Sequence, residues 1–159
     1  MIFSELISDL QTELKKNMPQ IRFLLKKNPG MGYTRIVEIG KEVGKKYKIK
    51  LIVNFPKEGR IEEFEMYGKR DLSLIVDYER KRFPIDREII KEKATEMLGD
   101  VKTQDAYMYE NKEGVRVFTK KWKIDILPHS VHIWTEFDEK VTAFCNWLME
   151  NAYQMKKIE

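Results

Sequence analysis

The stretch Gly68–Lys81, GKRDLSLIVDYERK, has an apolar run between two charged ends, and its pattern is the main indication of the fold. In an extended segment, successive side chains point to opposite faces of a sheet. Residues 71–78 then carry Leu72, Leu74 and Val76 on one face, whereas polar and charged side chains fill most of the other face. The stretch is therefore predicted to form a strand with one apolar and one acidic face.

The acidic face of this strand continues onto the segment before it. Residues 60–67 form another candidate strand, with Glu63 and Glu65 on the face opposite its apolar side chains. The short turn between the two strands predicts an antiparallel hairpin. Asp77 and Glu79 lie one pleat apart and could share a divalent cation, which prefers carboxylate oxygens. The alternative is that these acids form the solvated rim of an ordinary hairpin.

Apolar periodicity and capping residues predict helices and strands on both sides of this hairpin. The predicted helices cover about residues 4–17, 19–27, 34–47, 86–98 and 136–156, and the strands cover 49–55, 60–67, 71–78, 106–110, and a hairpin of 115–126 with 129–134. Gly40 and Gly44 in the third helix predict a close approach to the sheet, since glycine is unfavourable in a helix interior. These elements predict a single α+β domain over residues 1–159, with a mainly antiparallel or mixed sheet packed by helices.

The order of the elements from the third helix to the strand 106–110 reads αβββαβ. This order resembles the core of the PD-(D/E)XK nuclease-like superfamily, whose motif has an acid on one strand and an acid-x-Lys on the next. A Glu often lies on the preceding helix of that family. The matching positions are Glu38 in RIVEIGKEV, Asp71 in KRDLSLIV, and Glu79 with Lys81 in YERK. The resemblance implies phosphodiester hydrolysis that depends on Mg²⁺ or Mn²⁺, or a catalytically inactive relative.

The spacing of the acids leaves two arrangements of the metal site open. On one straight strand Asp71 and Glu79 would lie about 26 Å apart, which is too far for a single site. Either Glu63 or Glu65 supplies the first acid, or the chain turns at residues 77–82 and Glu88 takes part. The catalytic residues expected from the resemblance are Glu38, Asp77, Glu79 and Lys81, and the expected metal ligands are Glu65, Asp77 and Glu79.

The charge of the chain is unevenly distributed, although the net charge is only +4. Residues 1–60 hold 13 Lys and Arg against 6 Asp and Glu, whereas residues 61–110 hold 9 against 13. A basic flank beside an acidic centre is compatible with binding DNA or RNA around a metal site, with Lys45 and Lys46 among the binding residues. It is equally compatible with an ordinary surface covered by Lys-rich helices.

The segment 116–123, RVFTKKWK, interleaves cations with aromatic residues. On one strand, Arg116, Phe118, Lys120 and Trp122 would share a face, where rings could stack on bases and cations could meet phosphates. Arg116, Lys120 and Trp122 are therefore candidate nucleic-acid-binding residues. The alternative places the two aromatic side chains in the core beneath the cations.

Two further patterns are weaker. His129, His132 and Cys145 are zinc-type ligands, but residues three apart on a strand point to opposite faces, and Cys145 is expected to be a buried apolar residue. The segment 28–34, NPGMGYT, precedes a helix and could bind a phosphate or serve as a turn between helices. Neither pattern defines a site by itself.

The chain has no apolar run long enough to span a bilayer and no N-terminal targeting segment, so a cytoplasmic protein without a membrane partner is expected. A second hypothesis for its role is a non-enzymatic interaction module. In that case the terminal helix, residues 136–156, would dock on a partner or on a second copy in a homodimer.

Overall fold

The computed structural model describes residues 2–54, 73–77, 87–108, 111–128, 130–134 and 139–153. The helices are α1 (Ile2–Lys16), α2 (Met18–Lys27), α3 (Pro29–Lys46), α4 (Arg87–Leu98) and α5 (Glu139–Leu148), with a π-helical turn at Met149–Tyr153. The strands are β1 (Lys50–Asn54), β2 (Ser73–Asp77), β3 (Lys102–Met108), β4 (Asn111–Phe118), β5 (Lys123–Ile126) and β6 (Ser130–Trp134). The predicted α+β class is confirmed.

The six strands form one sheet in the order β1-β2-β6-β5-β4-β3. Every neighbouring pair is antiparallel. Strands β3 to β6 follow one another as an up-and-down meander, and β6 then pairs with β2. The β1–β2 pair and the meander are thus joined through β6, although long stretches of sequence separate these strands.

The alternation of side chains gives the sheet two different faces. The inner face is apolar and buried, with Leu51, Val53, Val76, Val115, Val117, Ile124, Ile126, Val131 and Ile133. By the strand register, the outer face carries Ile52, Ile75, Lys102, Gln104, Arg116, Phe118, Lys123, Asp125, His132 and Trp134. Most outer-face side chains are half-buried or exposed. The two faces therefore differ both in polarity and in their exposure to solvent.

Helices α3 and α4 pack on the inner face. A Cβ at Gly40 would lie 2.6 Å from Cγ2 of Val53, and a Cβ at Gly44 would lie 2.9 Å from Cβ of Leu51. These distances confirm the predicted close approach of α3 to the sheet. Helix α4 is anchored through Asp105 on β3, whose carboxylate lies 3.2 Å from Nζ of Lys91.

The terminal helix is part of the core. The predicted apolar stripe of Val141, Phe144, Cys145 and Leu148 is buried, and α5 contacts α1 and α4. Asn146 fixes the contact with α1, because its Oδ1 accepts a hydrogen bond from Ser4 N at 2.9 Å and its Nδ2 donates one to Ser4 Oγ at 2.6 Å. The apolar stripe of this helix therefore packs within the protein, and docking of the helix on a partner or a second copy stays a hypothesis.

Several predicted boundaries were wrong. Helix α3 begins at Pro29 and not at Thr34, because Pro is suited to the first helical position and only Asn28 separates α2 from α3. Strand β3 begins at Lys102, four residues before the prediction. The predicted strand 115–126 is two strands, β4 and β5, joined by a turn at residues 119–122. The predicted strand 60–67 lies outside the described residues.

Within these described ranges, no helix combines the length and apolar composition needed to cross a membrane.

Candidate nucleic-acid interface

The outer face has a concavity of about 400 Å³ where β3 to β6 meet the turn at residues 119–122. The lining combines three aromatic side chains, four cations and two neutral polar side chains: Phe118, Trp122 and Trp134; Arg116, Lys120, Lys121 and Lys123; and Gln104 and Thr119. No acidic side chain of the described part of the chain lines it. The concavity is thus both aromatic and positively charged.

The turn between β4 and β5 holds two lysines at its tip. The Thr119 backbone N–H donates to the Trp122 carbonyl at 2.9 Å, and the Thr119 hydroxyl accepts from the Lys121 backbone N–H at 3.2 Å. Such a local bond from a backbone N–H to a threonine hydroxyl supports a tight turn without glycine or proline. Lys120 and Lys121 are exposed there, and neither has an ion-pair partner among the described residues.

The aromatic side chains come from three elements. Trp134 on β6 lies opposite Lys123 on β5, which in turn lies opposite Phe118 on β4. Trp122, just before β5, packs partly against the core, whereas Phe118 lies on the outer face. Trp134 is also held by an edge contact with His132, at 5.6 Å between ring centroids. Each of the three aromatic rings is only half-buried.

The fourth cation, Arg116, differs from the lysines because its charge is compensated. Its Nε donates to Oδ1 of Asp125 at 2.7 Å and its Nη2 donates to Oδ2 at 3.0 Å. Asp125 is only 8% exposed, and its hydrogen bond raises the pKa of the Arg116 guanidinium. The positive potential of the concavity therefore depends mainly on Lys120, Lys121 and Lys123.

The sequence predicted part of this surface. The structure brings Arg116, Lys120 and Trp122 together as expected, but the three residues lie on β4, in the turn and just before β5, and not along one strand face. The pattern did not identify Lys123 and Trp134. Their contribution depends on the pairing of β5 with β6, which the predicted hairpin of 115–126 with 129–134 had indicated, so the signal for both residues was present in the sequence.

Lys45 and Lys46 lie at the end of α3 and do not line the concavity. Lys46 Nζ lies 2.6 Å from Oδ2 of Asp9, and the Tyr47 hydroxyl donates to the same oxygen at 2.6 Å. The hydrogen bonds from Lys46 and Tyr47 lower the pKa of Asp9. The Lys46 charge is thus neutralised locally, whereas Lys45 is exposed.

The predicted metal residues are not brought together within the described part of the chain. Glu38 lies on α3 with its side chain 54% exposed, and its carboxylate lies 3.4 Å from Nη1 of Arg35. Asp77 ends β2, where its backbone is in register with Lys50 and Ser130. Glu65, Glu79 and Lys81 lie outside the described residues, and no three His, Cys, Asp or Glu residues cluster within them. The metal site stays a prediction.

The two weaker patterns do not form sites within the described residues. His132 lies on the outer face of the sheet, with Nε2 3.3 Å from Oγ of Ser130. Cys145 is fully buried in the core on the inner side, where desolvation raises the pKa of its thiol. The segment 28–34, for which a phosphate site or a turn between helices was expected, consists of Asn28 between α2 and α3 and the first residues of α3, where Gly32 packs on Leu25.

Comparison of the chain with protein-family models, with curated proteins and with solved structures gave no match. The function is therefore argued from the chemistry of the outer face.

Proposed function

We propose that the protein binds single-stranded nucleic acid on the outer face of its sheet. The observation that carries this proposal is the placement, in one concavity, of three half-buried aromatic side chains and three lysines without an ion-pair partner among the described residues. Proteins that bind single strands stack unpaired bases on aromatic rings and attract the phosphates with nearby cations. The concavity offers both kinds of contact side by side.

The combination favours a single strand over a duplex. In a duplex the faces of the bases are stacked on one another, so only phosphates and base edges can be reached. Lys120 and Lys121 could bind the phosphates of a duplex as well as those of a single strand. Phe118, Trp122 and Trp134, however, can stack only on unpaired bases. Each stacked base contributes about 1–3 kcal/mol, as judged by alanine substitution.

The charge of the site also fits a polyanion. The Arg116 charge is matched by Asp125, whereas Lys120 and Lys121 have no such partner among the described residues. Phosphates that meet these lysines release counterions, so the affinity falls as salt concentration rises. The aromatic contacts contribute little to this salt dependence, which allows the two parts of the site to be measured separately.

The test titrates a labelled single strand and the matching duplex at several salt concentrations. We expect tighter binding of the single strand. Replacing Lys120 and Lys121 with Ala should make the slope of log K against log salt less steep by about 1.4, at roughly 0.7 for each charge. The matched control is the exposed pair Lys26 and Lys27 on α2, whose replacement should leave the slope unchanged.

The aromatic contacts have their own variant. Trp134→Leu keeps an apolar side chain on β6 but removes the stacking surface, so the affinity for the single strand should fall about 5- to 150-fold. Thermal unfolding of the same variant shows whether the fold is kept. The proposal is contradicted if the protein binds neither the single strand nor the duplex at low salt. It is also contradicted if Trp134→Leu binds the single strand as tightly as the unaltered protein does.

A further inference from the structure

We infer that Arg116, oriented by Asp125, selects the base bound in the concavity and favours guanine. The inference rests on the proposed binding of a single strand. It concerns only the one cation of the site whose charge is already compensated. The lysines of the turn attract phosphate, whereas Arg116 contacts the edge of a base.

The geometry of the pair fixes the plane of the guanidinium. Arg116 and Asp125 face each other in register across β4 and β5. Two nearly parallel hydrogen bonds, at 2.7 Å from Nε and 3.0 Å from Nη2, hold the group against a carboxylate that is 8% exposed. A bidentate pair of this kind gives directional precision as well as stability.

One edge of the guanidinium remains available to a ligand. Arginine carries five N–H donors, and Asp125 uses one on Nε and one on Nη2. The second edge, made by Nη1 and the other hydrogen of Nη2, has no hydrogen-bond partner among the described residues. The Arg116 side chain is 35% exposed and lines the concavity, so this second edge is accessible.

A fork of two parallel donors matches guanine. On the edge that faces the major groove of a duplex, guanine alone presents two adjacent acceptors, O6 and N7, and the pairing of arginine with them is the commonest specific contact in DNA recognition. An unpaired base stacked on a neighbouring aromatic ring exposes this same edge. Gln104, exposed on β3 directly opposite Arg116, adds an amide beside the fork.

A phosphate is the competing ligand for an arginine fork, and the charge balance argues against it here. The carboxylate of Asp125 cancels most of the attraction that Arg116 could exert on a phosphate. Lys120 and Lys121 lie on the same concavity without such a counter-charge. The strand therefore places its phosphates near the turn and a base edge near Arg116.

The test compares four oligomers: a thymine homopolymer and the same oligomer with one central guanine, adenine or cytosine. We expect the guanine oligomer to bind about 5- to 150-fold more tightly than the others, as one bidentate contact allows. Arg116→Lys keeps the charge but loses the fork, so all four oligomers should then bind alike. Asp125→Asn removes the counter-charge that orients Arg116, so the preference should shrink.

The controls separate this inference from a loss of fold. Lys120→Ala should weaken all four oligomers equally and keep the guanine preference, and Lys26→Ala on α2 should change neither. A variant that only loosens the fold lowers the melting temperature and weakens all oligomers to the same extent. Equal binding of the four oligomers by the unaltered protein, or a preference that survives Arg116→Lys, overturns the inference. If no oligomer binds at all, the proposed function fails with it.

Discussion

Nζ of Lys123 lies 4.6 Å from the ring centroid of Trp134, directly across the β5–β6 pair. A cation at this distance is attracted to the negative face of the indole ring and contributes about 0.5–1 kcal/mol at an exposed site. The contact keeps the indole in place within the concavity.

The first prediction concerns this pair. Lys123→Met keeps the length of the side chain but removes its charge, so we expect the affinity for a single strand to fall and its salt dependence to weaken. The free energy of unfolding should fall by no more than about 1 kcal/mol. Oligomer titration and thermal unfolding measure the two effects.

Lys93→Met is the matched control for Lys123→Met. Lys93 Nζ lies 5.9 Å from the ring centroid of Trp147, in a longer contact of the same kind between α4 and α5, and it also pairs with Glu96 at 3.3 Å. Its loss should affect stability to a similar extent and leave oligomer binding unchanged. If both variants weaken binding equally, the concavity is not the binding surface.

The second prediction concerns the contact of α3 with the sheet. Gly40→Ala would place a Cβ 2.6 Å from Cγ2 of Val53, a β-branched side chain that is completely buried. Overpacking of this kind costs about 1–3 kcal/mol and exceeds the roughly 1 kcal/mol that alanine gains over glycine in a helix. Chemical denaturation should therefore show a less stable protein.

Gly30→Ala serves as the control for Gly40→Ala. Its new Cβ would lie 3.5 Å from Oδ1 of Asn28, which is an ordinary contact at the exposed start of α3. The stability should stay the same or rise by up to about 1 kcal/mol. A destabilisation equal to that of Gly40→Ala would show that the helix tolerates alanine poorly for reasons other than Val53.

The sequence predicted the parts of the fold that depend on local periodicity. The stripe of Phe3, Leu6, Leu10 and Leu14 defines α1, and all four side chains are buried. The turn at residues 119–122 was missed because TKKW has neither glycine nor proline, and apolar alternation continues on both sides. A hydrogen bond from the Lys121 backbone N–H to the Thr119 hydroxyl supports the turn instead.

Long-range strand pairing was the second feature of the fold that could not be predicted from the sequence. No local pattern specifies that β6 inserts between β2 and β5, because strand pairing depends on packing across the whole sheet. The concavity is different, because Trp134 reaches it through the local β5–β6 pair, which the predicted hairpin of 115–126 with 129–134 already implied. The two residues on the β4–β5 hairpin and its turn, Arg116 and Lys120, could be identified because they are close in sequence.

The third prediction concerns the acidic residues at the end of the stretch 68–81. If Asp77 and Glu79 hold a divalent cation, Mg²⁺ or Mn²⁺ should raise the melting temperature. The free energy of unfolding should increase by about 2.7 kcal/mol when the ion concentration is a hundred times the dissociation constant. Glu79→Gln should abolish this effect and any cleavage of a labelled oligomer. Without metal, the variant should melt at the same or a higher temperature, because clustered carboxylates repel one another.

Glu92→Gln on α4, where Glu92 is exposed, is the control for the metal experiment. It should leave both the metal response and any cleavage unchanged. Should neither ion affect the unaltered protein in melting or cleavage, the resemblance to the nuclease-like superfamily carries no catalytic activity here.

The fourth prediction concerns acid stability at the contact between α1 and α3. Hydrogen bonds from Lys46 and then Tyr47 lower the pKa of Asp9 below its ordinary value of 3.8. A carboxyl whose pKa is lower in the folded state stabilises the fold above its unfolded pKa and loses this contribution as the pH falls through the folded value. Asp9→Asn should therefore lower the melting temperature at neutral pH, and the difference from the unaltered protein should shrink as the pH falls below the ordinary value of 3.8.

The same cluster predicts a loss of stability at alkaline pH. Burial, followed by the hydrogen bond to Asp9, raises the pKa of the Tyr47 hydroxyl above its ordinary value of 10.0. Because the folded state keeps the proton, the contribution is complete below pH 10 and is lost as the pH rises beyond it. Tyr47→Phe should therefore destabilise the protein at neutral pH and reduce its loss of stability above pH 10. Tyr33→Phe, a half-buried tyrosine of the same helix, is the control. An alkaline transition that is the same in both variants and in the unaltered protein would contradict the role assigned to Tyr47.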